Sequence, residues 1–221
     1  MCRRFVSVIA GFLAVLSICL SLGCESTRVW TTAFKDPAFS GRSFSNPAVY
    51  ANTADLQWRH DLEKTLVAEM DKHGIPAKAT FELIPPTRSL SPEERMQVLL
   101  EHGIDALVVI EFGESGVEHE YMPLTGTTTE TSGTVSTYGN TGTYQGTSYT
   151  TVHGGYDISK PWAKMSTHVL DVASGRKAWV ASSYTGGNAF ASFEDIRNSY
   201  CKKILEQMLV DRVVVGSSPK Q

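Results

Sequence analysis

Apolar residues at helical spacing mark three segments of the chain, at residues 54–73, at 91–103 and from residue 192 onward. The first segment repeats a large apolar side chain every four positions, at Trp58, Leu62, Leu66 and Met70. The last segment carries a similar stripe, made of Phe193, Ile196, Tyr200, Ile204, Leu205 and Met208. Because a spacing of three to four residues lines up one face of a helix, we predict three amphipathic helices that cover a core.

Capping residues set the ends of these helices. Asp55 is the predicted N-cap of the first helix, and Gly74 is the residue that ends it. Ser91-Pro92-Glu93-Glu94 predicts a capping box with proline in the first turn, since the serine hydroxyl can accept from the third amide while the last glutamate reaches back. Ser192 starts the last helix, with Asp195 at the capping position.

Five shorter runs have the composition of strands, at residues 47–51, 77–84, 104–112, 163–172 and 177–184. The third run is continuously apolar at its centre, as expected of a strand covered on both faces. Two strand–helix–strand crossovers imply parallel pairing, and the last two strands form a hairpin. The element order β-α-β-α-β-β-β-α predicts an α/β fold, with a single mixed sheet, helices packed on it and one domain over residues 45–215.

A long polar insertion, residues 122–158, interrupts this sheet between its third and fourth strands. From Thr125 to Gly155, 12 of 31 residues are Thr and seven are Gly, so the segment has little apolar surface to bury. Its Thr and Tyr residues nevertheless favour strands. Three interpretations stay open: a flexible exposed loop, an extended hairpin that pairs with a neighbouring subunit or ligand, and a membrane-inserting hairpin.

The first residues of the chain have the layout of a secretory signal peptide. Arg3 and Arg4 precede a mostly apolar run from Phe5 to Leu22 that carries no charge. An uncleaved membrane anchor is one alternative, because about 20 apolar residues can span a bilayer. A secreted protein without any anchor is another.

The end of this segment, Leu20-Ser21-Leu22-Gly23-Cys24, resembles the bacterial lipobox, the cleavage site of lipoprotein signal peptides. The resemblance implies that residues 1–23 are removed and that Cys24 is lipidated on its sulfur. Several acyl chains on one cysteine would then hold the protein stably at a membrane. Glu25 follows the cysteine where inner-membrane lipoproteins usually have Asp, so the resemblance favours the periplasmic side of the outer membrane. Residues 24–44 are the predicted tether.

Composition and charge narrow the classes of function. A hydrophobic fraction of 42% supports a folded core rather than a disordered chain. The net charge of −3 offers no basic surface, which argues against nucleic acid as a partner. Cysteines at positions 2, 19, 24 and 201 fit neither a disulfide framework nor a zinc pattern.

The sequence contains no recognisable motif for catalysis, a cofactor or a metal. Histidines at 60, 73, 102, 119, 153 and 168 lack ligand spacing, and those at 73 and 102 precede glycines, as at helix C-termini. Cys201 lies on or beside the apolar stripe of the last helix and is predicted to be a buried thiol. We predict no catalytic, cofactor-binding or metal-binding residue. A cell-wall or glycan-acting enzyme without a recognisable motif is the alternative.

Short motifs resemble a class of bacterial envelope lipoproteins. They are Trp30 in the tether, His73-Gly74-Ile75, Gly103-Ile104-Asp105-Ala106-Leu107-Val108-Val109, and the hairpin from Val169 to Trp179. The same plan occurs in the curli secretion lipoprotein, a Pel polysaccharide secretion lipoprotein and the amino-terminal domain of TolB. The resemblance implies a lipid-anchored, non-catalytic binding, scaffold or secretion-accessory subunit with envelope protein partners, and leaves homo-oligomer formation open.

Overall fold

The computed structural model describes residues 26–88, 90–122, 127–138, 141–152 and 155–216. Its strands are β1 (Thr27–Lys35), β2 (Pro47–Asn52), β3 (Lys78–Ala79), β4 (Ala106–Met122), β5 (Thr127–Tyr138), β6 (Thr141–Val152), β7 (Tyr156–Asp171) and β8 (Lys177–Gly187). Its α-helices are α1 (Leu56–Lys72), α2 (Thr80–Leu83), α3 (Pro92–Glu101) and α4 (Phe193–Val210). All of these elements follow residue 25, so a chain that begins there keeps the whole sheet and its helices.

A six-stranded mixed sheet, in the order β1-β8-β7-β4-β2-β3, forms the centre of the molecule. Strand β2 runs parallel to both β3 and β4, whereas β4, β7, β8 and β1 pair antiparallel in turn. Strands β5 and β6 pair with each other in a second, two-stranded sheet. The predicted α/β class, the mixed sheet and the parallel crossovers are confirmed.

Helices cover the two faces of the sheet unequally. On one face, α1 and α4 bury a large core that includes Val108, Met165 and Trp179. On the opposite face, which we call the outer face, a smaller core joins Leu99 of α3 to the β2–β4 part of the sheet. The alternation of β4 divides its side chains between these two cores, as predicted for its apolar run. Beyond the smaller core, large apolar side chains of the outer face are exposed at Trp30, Phe34, Val180 and Tyr184.

The helix ends follow the capping signals of the sequence. Asp55 accepts from the amides of Gln57 and Trp58 at 2.9 and 3.1 Å, and Gly74 takes a φ of 70° beyond the end of α1. The predicted capping box at the start of α3 is present. At α4, Ser192 is the N-cap, and Asp195 is its third-residue partner rather than the cap itself. Each signal satisfies amides that the first helical turn leaves without a partner.

The predicted strand at residues 77–84 is wrong beyond Ala79. Only Lys78–Ala79 pairs with β2, and the chain then turns into the short helix α2. The buried carboxylate of Glu63 explains the turn, since it accepts from the Thr80 hydroxyl at 3.0 Å and from the Phe81 amide at 2.6 Å. These two hydrogen bonds replace the ladder contacts that a longer strand would have made.

The predicted tether, residues 24–44, is also corrected by the structure. Residues 27–35 form β1, which pairs with β8 over its whole length at the edge of the sheet. Its side chains alternate between the α4 side and the outer face, a period-two pattern that favours a strand. Farther on, Phe39 and Phe44 are buried in the main core, and Phe44 bridges to Val214 near the end of the chain.

The interpretation of the insertion as a flexible loop is wrong for the described residues. Strands β4 and β7 continue into it to Met122 and from Tyr156, and β5 and β6 form a regular antiparallel hairpin inside it. The extended-hairpin interpretation therefore describes its conformation. Each strand of this hairpin has one partner, so the backbone groups on its inner edge are paired and those on its outer edge are open to water.

Candidate interaction surface

Strands β4 and β7 project past the rest of the sheet as a two-stranded arm. We define the arm as residues 117–122 and 156–161, which pair with each other from Val117 opposite Pro161 to Met122 opposite Tyr156. Strand β2 pairs with β4 only up to Glu111, and β8 pairs with β7 only from Trp162 onward. Within the described residues, both edges of the arm are therefore unpaired, and such edges are templates for another strand.

Charged side chains line the arm and its base. Lys160 donates to Glu120 on the opposite strand, and Lys164 donates to Glu114 at 2.7 Å. The hydrogen bond that Lys160 donates to Glu120 raises the pKa of Lys160, and the one that Lys164 donates to Glu114 raises the pKa of Lys164. Because these pairs are exposed, they contribute little to stability and more to the charge pattern that a partner meets.

The β5–β6 hairpin is polar and exposed where its side chains are described. It pairs from Thr127 opposite Val152 to Tyr138 opposite Thr141, and the hydroxyls of Thr129 and Thr150 lie 3.4 Å apart. Tyr149 is 71% exposed. An isolated two-stranded hairpin is marginally stable in water, so this segment gains most from pairing with another surface.

The arm leaves the sheet at the end where the chain enters it. Thr27, the first residue of β1, pairs with Gly187, whose neighbour Gly186 pairs with Trp162. Trp162 in turn pairs with Gly116, one residue before the arm begins. The described chain therefore begins at the end of the sheet from which the arm projects.

Aromatic side chains gather on the outer face at that end. The ring of Tyr184 lies 5.6 Å from that of Trp30 and stacks on Trp162 at 6.1 Å. A side chain at Gly186 would meet the Tyr184 ring at 3.3 Å, so the small residue leaves room for the stack. Trp162 is half-buried, whereas Trp179 is buried and donates to Asp211 at 2.8 Å. The exposed group offers flat apolar surface for contact.

Two carboxylates that are buried in the fold have structural roles. Glu63 is fully buried, and besides its contacts with α2 it accepts from the Ala51 amide at 3.1 Å and from Arg59 at 2.9 Å. Asp171, also buried, takes two hydrogen bonds from Arg42 at 2.7 and 3.0 Å. Every oxygen of these carboxylates is engaged by the fold, which leaves neither as a free acid or base for chemistry.

A buried cysteine and two histidines at helix ends also have structural roles. Cys201 is fully buried, and burial raises the pKa of its thiol, which makes it inert as a nucleophile. His73 and His102 are the C-caps of α1 and α3, as predicted. The described residues contain no group of three His, Cys, Asp or Glu side chains placed to hold a metal ion. Cys24 itself lies outside the described residues, so its lipidation stays a prediction.

None of the helices in the described part of the chain is both long enough and apolar enough to cross a membrane. No protein-family model matches the sequence, and no curated protein matches it.

Solved structures do match the fold. A PelC dodecamer structure from Paraburkholderia phytofirmans aligns at 14% identity over 80% of this chain and 95% of its own, with a TM-score of 0.46. Lipoprotein GNA1162 from Neisseria meningitidis aligns at 12% identity over 75% of this chain and 99% of its own, with a TM-score of 0.40. One of these matches is to PelC, the Pel protein that the sequence resemblance had named. They describe a likeness of overall plan, and the function proposed below rests on the contacts of this chain.

Proposed function

We propose that this protein is a lipid-anchored, non-catalytic subunit of the bacterial envelope, which binds other envelope proteins as a scaffold or secretion accessory. Acylated Cys24 holds it on the periplasmic side of the outer membrane. The observation that carries the proposal is the position of the arm, whose unpaired edges begin at the level where the chain enters the sheet.

The anchor would set which part of the molecule meets the membrane. Because only three positions separate an anchor at Cys24 from Thr27, we expect the Trp30–Tyr184–Trp162 group and the base of the arm to face the lipid surface. Aromatic rings suit that boundary because they combine an apolar body with a polar edge. Confinement to a surface also raises the effective concentration of the arm for its partners.

Partners would dock by adding a strand to the arm or to the β5–β6 hairpin. Main-chain hydrogen bonds at an unpaired edge supply affinity, and side chains such as Lys160 and Glu118 supply selectivity. A second copy of the chain can pair in the same way, so homo-oligomer formation belongs to this proposal.

Intact-mass spectrometry of protein purified from membranes of its native host tests the anchor. We expect a chain that begins at Cys24 and carries the added mass of acyl chains, and fractionation should place it with the outer membrane. The Cys24→Ser variant is the control and should appear without added mass, released from the membrane or still carrying its signal peptide. A wild-type chain that begins at another residue, or that has no added hydrocarbon, would overturn the proposal.

A further inference from the structure

Two cavities adjoin at the far end of the sheet from residue 27, and together we call them the groove. One, of about 310 Å³, lies between α1, α2 and the loop after α2, and the other, of about 410 Å³, lies between α3 and the outer face. Tyr50 and Arg95 line both cavities, so the two adjoin at these side chains. Volumes in this range are typical of sites for small ligands.

The first cavity is cationic. Arg59, Arg88 and Arg95 line it, and the ring of Tyr50 lies between two of them, 4.8 Å from the Arg59 guanidinium and 5.4 Å from that of Arg95. Arg59 is paired with buried Glu63. Arg88 and Arg95 form no ion pair with any carboxylate in the described part of the chain. The cavity therefore has two guanidinium groups that are available to an anion.

The second cavity is apolar over most of its lining. Met96 and Leu170 are partly buried on its walls, and Leu107 and Val109 form its floor on the outer face. Glu93 is exposed at the rim. A ligand that fills both cavities must join an anionic group to an apolar chain.

We propose that this groove binds one molecule of an anionic amphiphile, with its phosphate or carboxylate group on Arg88 and Arg95 and its acyl chain over Met96 and Leu170. Planar guanidinium groups bind such oxyanions through paired hydrogen bonds. The opposed chemistry of the two adjoining cavities selects a lipid-like molecule over a simple anion. The proposal does not rest on the lipid anchor.

The groove lies at the opposite end of the sheet from the predicted anchor at Cys24. Cys24 precedes Thr27, whereas Tyr50 pairs with Val109, which stands level with Val180 of β8 and Phe34 of β1. From Thr27 to Phe34 the strand runs about 24 Å. The groove thus faces away from the end of the sheet where the chain enters, and it would take a free amphiphile.

Isothermal titration calorimetry on the chain that begins at residue 25 tests this site, with dodecyl phosphate below its micellar concentration as the probe. We expect one molecule bound per chain. Decyl phosphate should bind about fifteenfold more weakly, because it lacks two methylenes and each contributes roughly fourfold. Inorganic phosphate and uncharged dodecyl maltoside should each bind at least tenfold more weakly than dodecyl phosphate.

Matched variants separate the two halves of the groove. Arg88→Ala, at an exposed position, should weaken dodecyl phosphate about tenfold, whereas Lys64→Ala on the exposed side of α1 should leave it unchanged. Met96→Gln should reduce the difference between dodecyl and decyl phosphate. Thermal melting of each variant checks that it is folded.

Three results would overturn the proposal. The first is dodecyl phosphate binding that Arg88→Ala does not weaken or that dodecyl maltoside equals. The second is a stoichiometry well above one, which indicates nonspecific surfactant adsorption. The third is equal affinity for inorganic phosphate and dodecyl phosphate, which leaves an anion site without an acyl cleft.

Discussion

The body of the sheet and the arm differ in the surroundings of their polar groups. In the body, two cores bury the apolar faces, and the charges that are enclosed, such as Glu63 and Asp171, are saturated with partners. In the arm and the β5–β6 hairpin, each strand forms backbone hydrogen bonds with one partner strand, and the described side chains are mostly exposed.

Because of this difference, we expect the body to determine the stability of the fold and the arm to determine its contacts with other molecules. Removing the hydrogen-bond partner of a buried group lowers the free energy of unfolding, because no water molecule can take the place of that partner. An exposed group can form a hydrogen bond to water instead. Substitutions in the body should therefore change the free energy of unfolding, and substitutions in the arm should change contacts with other molecules. The following predictions apply to the chain that begins at residue 25.

The largest effect is expected for Glu63→Ala. It removes the acceptor of two backbone amides and leaves Arg59 without its carboxylate inside the fold. Breaking a buried pair in this way costs about 3–5 kcal/mol in the free energy of unfolding. Urea denaturation followed by circular dichroism measures the loss, with the exposed ion-pair variant Glu206→Ala as control, which should change by less than about 1 kcal/mol. Equal losses for the two variants would contradict this description of the body.

A smaller loss is expected for Tyr200→Phe. Its hydroxyl bonds that of Thr167 inside the main core, and the variant leaves the threonine hydroxyl without a partner. The free energy of unfolding should fall by about 1–3 kcal/mol. Tyr149→Phe, on the exposed face of the hairpin, is the matched control and should leave the urea midpoint unchanged. A larger effect at Tyr149 would mean that the hairpin contributes to the core.

A modest pH effect is expected from His168. Burial lowers the pKa of its ring, assisted by nearby Lys177 and opposed by Glu111. Because the unfolded chain then binds a proton more readily than the folded one, stability should fall as the pH drops below about 6.5 and continue to fall until the folded form is protonated too. His168→Gln should remove this part of the acid sensitivity in thermal melts between pH 7 and pH 5. Identical pH profiles for the two proteins would show that His168 is not the titrating group.

The smallest effect on stability is expected from the deletion of residues 125–155, with a Gly-Gly link in their place. Strands β5 and β6 make most of their contacts with each other, so their loss should leave the melting temperature and its cooperativity unchanged. Differential scanning calorimetry compares the deletion with the intact chain. A broad or non-cooperative transition after deletion would place the hairpin inside the folding unit.

The sequence predicted those parts of the fold that depend on local signals. Apolar spacing identified α1 and α4, the capping box at Ser91 located α3, and the continuous apolar run located the centre of β4. These signals work because capping and alternation act within a few residues.

The parts that the sequence could not predict depend on distant partners. The strand character of residues 27–35 becomes clear only with β8 beside them, and the turn after Ala79 depends on Glu63, more than a dozen residues earlier. The Arg88–Arg95 cavity likewise has no local motif, since its residues come from β2, α1, α2, α3 and the loop between α2 and α3. The sequence did not predict the arm as an interaction surface, because its unpaired edges follow from the register of the strands rather than from composition.

Photo-crosslinking in living cells of the native host tests most directly whether the arm is a docking surface. A photoreactive residue is placed at Asp157 in the arm or at Asp71 on the exposed side of α1. Crosslinked products are identified by mass spectrometry. We expect defined adducts, with an envelope protein or a second copy of this chain, from position 157 and few or none from position 71. Defined adducts from position 71 together with none from position 157 would contradict it.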